Sequence, residues 1–413
     1  MTESVGRVSD SRHMGPGAAH GPQWPGHGPQ GRAGPLYRAT VFAVLAYCAL
    51  QVGLHIAFAV LPEGSNWQQG DWLINSRLVA VRRGLFGSWL IGLSDVTGIG
   101  LLHLTIAVQL ALMGALLAVL AALFLPARHP LSHLLLLASP GFVPLFWGND
   151  PAGALRKEMM AFLAIALLIL ALRRRNRLLH AVSAALLALS FYGNEFCVLF
   201  APLFLGASVF SGWRPNRERV WLIPAALVGV AALHALVWAL LHAQVAQPAL
   251  ICAPLLERGL TPYMCEGAIA YLSEGGVANA EQVRSHIQST PILRLLPVTA
   301  LIALVAPAYV VALTDRPLRL ALACLLAASP FLLLYPVAVD WGRWLSIQAF
   351  VGVAVILIAL DCGAARFVRA PQPVLVAIIL AIGLFVSPDH AMWVIRAGVL
   401  PELTGDLGLL MSR

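Results

Sequence analysis

The sequence predicts an all-α integral membrane protein of about eleven transmembrane helices, and three observations predict it. Of 413 residues, 59% are hydrophobic and only 11% charged. A soluble domain carries roughly 25% charged residues, so lipid must be the main solvent. The apolar residues come in long runs separated by short polar segments. The arginines concentrate in alternate segments, as the positive-inside rule requires.

Residues 1–37 are rich in Gly, Pro, His and Ser. They cannot bury enough apolar surface to offset their ordering entropy and are expected to form a disordered cytoplasmic tail. His13, His20 and His27 are spaced seven apart there; a solvated tail explains them without a metal. Apolar runs follow at 38–62, 100–126, 131–147, 159–172, 178–193, 196–211, 219–243, 293–313, 318–338, 345–361 and 373–388. The first is long enough to span, and no cleavable signal peptide is expected. Those at 131–147, 159–172 and 178–193 fall short of the ~20 residues of a straight span. Short spans are tolerated beside a protein-lined cavity.

With the tail inside, RRRNR (173–177), WRPNRER (213–219) and DRPLR (315–319) all fall inside, and an odd span count puts the C-terminus outside. The chain then divides into the tail (1–37), an N-terminal membrane module (38–243), an outside loop (244–292), a C-terminal membrane module (293–390) and an outside tail (391–413). Cys252 and Cys265 share the large outside loop, on the disulfide-permissive face; a bridge and two unpaired thiols both remain open. Residues 277–288 read as a small polar helix. The +8 net charge sits in short loops, which makes it a topology signal and not a nucleic-acid footprint.

The outside segments carry the chemistry. Ionisable groups near membrane depth are costly and are functional hypotheses by default. Asp71 follows the first span. After it, residues 72–95 set aromatic and aliphatic side chains among Arg77, Arg82 and Arg83, which fits an interfacial helix with arginines facing phosphate. Plain headgroup binding would satisfy the same pattern. Asp150, Arg156, Lys157 and Glu158 lie in WGNDPAGALRKE (147–158), between two short spans. An ordinary capped turn accounts for the NDP but not for a basic pair near a helix N-terminus. Glu195 stands alone in a very short loop and needs a cationic partner. Asp340 and Arg343, flanked by tryptophans in VDWGRWL (339–345), can pair at i, i+3 or simply anchor an aromatic belt. Together these residues suit one task. A carboxylate can deprotonate a sugar hydroxyl, while arginines neutralise a phosphate or pyrophosphate leaving group.

This arrangement resembles the GT-C class of integral-membrane glycosyltransferases, which take sugars from polyprenyl carriers on the outer face. Asp71 followed by DWLINSRLVAVRRGLFGSW matches that class's acidic residue and interfacial helix after the first span. Asp150 in GNDPAGALRKE matches its second acidic position. The resemblance implies Asp71 as base, Asp150 assisting, and the interfacial Arg77, Arg82 and Arg83 as phosphate contacts; Arg156, Lys157, Glu195, Asp340 and Arg343, read from the outside loops themselves, complete the expected substrate- and phosphate-binding set. It also implies a polyprenyl-linked sugar donor, a glycan or lipid acceptor and a bacterial-type cytoplasmic membrane. The chain departs from the class in having no paired acids after the first span and no large soluble C-terminal domain. Oligosaccharide-repeat polymerases of the Wzy and EpsG kinds are similar in span number and in their large late outside loop, where Arg258 and Arg284 would suit that reading.

The rival class is a transporter or lipid-linked glycan flippase. It would place charged or Gly/Pro-broken positions at mid-span. Only the scattered His55, His103, Gln109, His234 and Gln348 answer to that. An assembly subunit without chemistry is a third reading. No P-loop, GxGxxG after a strand, HExxH or CxxC pair is present. No metal ligands are therefore assigned, and a divalent cation on a pyrophosphate stays open.

Overall fold

The computed structural model describes residues 34–212, 222–242, 247–273, 276–289, 292–391 and 395–403. The histidine-bearing tail, the arginine run at 213–219 and residues 404–413 lie outside the described residues. Among the described residues the regular structure is helical apart from one antiparallel hairpin near the end, and six of these helices are long and apolar enough to cross a membrane. These are α1 (Pro35–His55, extended by a π-turn, Ile56–Val60), α4 (Leu101–Phe124), α10 (Leu222–Leu241), α13 (Ile292–Ala312), α14 (Pro317–Ala328, extended to Leu334) and α15 (Trp341–Asp361). Leucines such as Leu50, Leu233, Leu241 and Leu325 stand exposed on these helices, as lipid-facing side chains do.

The remaining apolar runs give shorter helices, so the expected eleven reduce to six of full length. The run 131–147 breaks into α5 (Pro130–Leu137) and α6 (Val143–Asn149). Pro140 supplies no N–H, and the Ser139 hydroxyl instead donates to the Ala303 carbonyl on α13, at 3.0 Å. The runs 159–172 and 178–193 form a helical hairpin, α7 (Met159–Arg174) and α8 (Arg177–Gly193). Its turn is made by Arg175 in the left-handed region (φ 54) and by Asn176, whose side chain caps α8 through the Leu179 N–H. The expected interfacial helix over 72–95 is not continuous. The chain forms α2 (Gln68–Leu73), an irregular stretch, then α3 (Gly84–Thr97). Gly87 lies so close to the Leu73 and Ile74 backbone that a Cβ would not fit, which lets α3 fold against α2.

After α9 (Ala201–Gly212), two short helices occupy the large loop: α11 (Ala249–Leu256) and α12 (Gly276–Ser289), the latter at the expected polar helix. Cys252 and Cys265 form a disulfide, with Cα atoms 5.9 Å apart. The stretch beyond α16 (Pro373–Phe385), expected as the end of the last apolar run and then an outside tail from 391, folds back as β1 (Val386–Pro388) and β2 (Ile395–Ala397), with Ser387 opposite Arg396.

The core is built on α7 and α15, buried along nearly their whole lengths and packed through Phe162 and Phe350 (ring centroids 4.6 Å apart). They run in the same direction. Glu158 meets Arg343 at their starts, and Arg173 meets Asp361 at their ends, at 2.6 and 2.9 Å.

Candidate functional site

That parallel pairing gathers the polar residues at one end of the bundle. The starts of α7 and α15, the end of α8 and the segment after α1 all arrive there. They bring Arg156, Lys157 and Glu158; Asp340 and Arg343; Glu195; and Asp71, Arg82 and Arg83. Five cations meet four carboxylates, an excess of one positive charge.

Asp71, on α2, is 3% exposed, and neither carboxylate oxygen has a hydrogen-bond partner. Its nearest cation is Arg83, with Nη1 3.9 Å from Oδ1, and its charge also reaches Lys157, Arg156 and Arg343. A buried anion held only through space is expensive unless a ligand completes it. Its helix is fixed by side-chain donors to the 150–158 loop. Gln68 Nε2 donates to the carbonyls of Pro151 and Ala154, at 2.8 and 3.0 Å. Trp72 Nε1 and Gln109 Nε2 both donate to the Leu155 carbonyl, each at 2.8 Å.

The cations divide into paired and available groups. Arg83 donates through Nε and Nη2 to Glu195 (2.7 Å each), and Arg82 through Nη1 at 2.8 Å. Glu195 thus finds the partner its isolation requires, and it orients both arginines. Arg82 Nε is buried without an acceptor. Lys157, fully buried, donates to the Arg83 carbonyl at 3.0 Å. Burial pushes its ammonium down to about 8, against the attraction of Asp71. Arg156 donates Nη1 to the Trp67 carbonyl at 2.8 Å, leaving Nε without an acceptor. Arg343 bridges Glu158 and Asp340 (2.6 and 2.8 Å) and stacks over Trp344 and Phe196. Arg83 and Leu155 have positive φ, 66 and 61. Such strained backbone clusters at functional sites, and here it aims two carbonyls at Lys157 and at the Trp72–Gln109 pair.

Asp150 is placed differently. It is fully buried. Its Oδ2 accepts from the His390 N–H and Nδ1 (2.6 and 2.7 Å), and its Oδ1 from Arg396 Nη1 at 3.0 Å. Burial opposes charge on His390, but the hydrogen bond to Asp150 and its negative charge outweigh it, so the imidazole titrates above its ordinary range. The same partners, against burial, hold Asp150 below the usual carboxylate range. Asp150, Asp389 and His390 have donor atoms within 4.8 Å of one another, but the Asp150 oxygens are taken by N–H donors, which makes an ion-pair latch. It ties the C-terminal hairpin to the 147–158 loop. Gly342 permits the approach, since a Cβ there would strike the Asp389 carbonyl.

Of the residues singled out from the sequence, Asp71, Arg82, Arg83, Arg156, Lys157, Glu195, Asp340 and Arg343 come together. Asp150 adjoins them through His390, which feels both Asp340 and Arg156. Arg77 does not join them; it pairs with Asp95 at the surface (3.1 Å), beside Arg258. The sequence reading missed Glu158 as the Arg343 partner, and His390 and Arg396 as the Asp150 partners. The one available signal was a cluster of charges, PDH and IRA, just past the last apolar run. No family model matches the chain, and neither a curated protein nor a solved structure does.

Proposed function

We propose that the chain is a membrane glycosyltransferase or glycan polymerase that uses a polyprenyl-(pyro)phosphate-linked sugar, with its charged end on the outer face of a cytoplasmic membrane. The observation that carries this is Asp71, a buried carboxylate with both oxygens unpartnered, set among more cations than carboxylates. In this reading the acceptor hydroxyl donates its proton to Asp71 while its oxygen bonds to the anomeric carbon. The bond from that carbon to the phosphate oxygen breaks, and the electron pair leaves on the phosphate. Arg82, Arg156 and Lys157, which retain unused donors or a free charge, neutralise it. Arg83 and Arg343, each tied to carboxylates, hold the geometry. The excess positive charge suits an anionic ligand, and it is crowded at one end of the bundle where a transporter would want it at mid-span.

The test is mass spectrometry of lipids retained by detergent-extracted protein, wild type beside Arg82→Ala. A polyprenyl phosphate or pyrophosphate kept by wild type and depleted in the variant supports the reading. Only bulk phospholipid, alike in both, overturns it.

A further inference from the structure

One feature at the mouth of the charged cluster has no role in the chemistry above. Trp67 directly precedes α2 and lies one helical turn before Asp71. It is 45% exposed, though the residues that follow it on α2 are buried. Its backbone carbonyl accepts from Arg156, whose guanidinium also lies over the indole, 5.8 Å from the ring centroid. Tyr271 meets the indole edge-on, with centroids 6.0 Å apart. The Tyr271 hydroxyl donates to the Val337 carbonyl at 3.2 Å, and its ring lies within electrostatic reach of Arg82. The pair therefore touches Arg156 directly and has Arg82 within electrostatic reach.

The placement is built. The Ala268 N–H donates to the Asn66 carbonyl at 3.0 Å, which holds the 247–273 loop against the residue before Trp67. Met264 packs under Gly64 and Gly70 on either side of it. Met264 adjoins Cys265, and the disulfide to Cys252 fixes that corner. An aromatic belt anchor needs none of this. It would face lipid away from the charges, whereas Trp67 shares its carbonyl and its ring with a site arginine.

We infer that Trp67, braced by Tyr271, is the platform on which the pyranose ring of the donor stacks, against the indole face that the Arg156 guanidinium does not cover. The inference rests on the function proposed above and adds the sugar subsite to it. A pyranose presents a face of C–H bonds to the electron-rich face of an indole. With its phosphate held by Arg82 and Arg156, a sugar on Trp67 lies one helical turn from Asp71.

The experiment compares, by native mass spectrometry in nanodiscs, the affinity for bare C55 polyprenyl monophosphate with that for the same carrier bearing glucose, galactose, mannose or N-acetylglucosamine. The readout is the ratio of sugar-bearing to bare affinity. In wild type the ratio exceeds one for at least one sugar. In Trp67→Ala it falls by about three- to tenfold, the range for one aromatic stacking contact, and Trp67→Phe restores most of it. Because Arg156 holds the backbone carbonyl of residue 67, the alanine variant keeps that anchor. Arg82→Ala lowers both affinities together and leaves the ratio. A ratio of one for every sugar in wild type, or an unaltered ratio in Trp67→Ala, overturns the platform while the carrier site stands. If no carrier binds wild type, the platform falls with the proposed function.

Discussion

Replacing Asp150 by alanine should release the C-terminal hairpin without unfolding the bundle. The carboxylate is fully buried and takes two hydrogen bonds from His390 and one from Arg396. Removing one side of a buried, hydrogen-bonded ion pair costs about 3–5 kcal/mol. The lower end applies, because the side chains of His390 and Arg396 are 22% and 30% exposed and recover some hydration. About 3 kcal/mol corresponds to a shift of roughly a hundredfold in a local opening equilibrium. The hairpin's other hydrogen-bonded ties, its strand pairing and the Arg396–Glu402 pair at 3.1 Å, are internal to it; β1 also packs against α13, α15 and α16 with Ser387 buried, so the loss falls on the polar part of its attachment. Amide hydrogen exchange in detergent should show residues 386–391 and 395–403 exchanging up to a hundredfold faster in Asp150→Ala, with α7 and α15 unchanged. Equal protection in variant and wild type would refute the latch. Uniform loss of protection throughout α7 and α15 would refute its being local.

Four further outcomes follow from the same geometry. His390 titrates above its ordinary value in the folded chain, so its contribution to the latch is complete below about 6.5. That contribution is lost as pH rises through the raised pKa; a nitroxide at Ala397 should become more mobile over that window, and His390→Gln should remove the pH dependence. Arg343→Ala strands Glu158, which is 2% exposed, and should lower stability by about 3–5 kcal/mol. In a double-mutant cycle, adding Glu158→Leu should recover much of that loss in thermal unfolding. Asp71→Asn relieves a buried carboxylate without a hydrogen bond and should leave melting temperature unchanged or raised while turnover is abolished; a folded variant with wild-type turnover would remove Asp71 as the base. Cys252→Ser/Cys265→Ser opens a 13-residue separation, worth about 3 kcal/mol in loop-closure entropy, and should lower both thermal stability and activity.

The membrane character of the chain was legible in its composition, because apolar residues in such excess leave no other solvent. The gathering of Asp71, Arg82, Arg83, Arg156, Lys157, Glu195, Asp340 and Arg343 was legible because topology alone sends alternate loops to one end. Hydropathy could not resolve helix integrity. The run 131–147 is predominantly apolar, yet Pro140 and the close packing of Gly141 against Ala303 bend it in two. Nor could local pattern say which arginine meets which acid. Arg77 and Arg82 lie in the same stretch, but the break between α2 and α3 sends one to Asp95 and the other to Glu195. The Asp150 partners were illegible for a different reason. His390 and Arg396 lie 240 and 246 residues away, beyond the last span, where no periodicity or motif announces a return to the site.

The most direct test of the central claim is native mass spectrometry of Asp71→Asn beside wild type, both extracted from cells that supply the carrier. With the base removed and the cations intact, the variant should retain a polyprenyl-linked sugar with its glycosyl group still attached, while wild type carries the bare polyprenyl phosphate or pyrophosphate. Identical lipid profiles, with bulk phospholipid in both, would contradict the account.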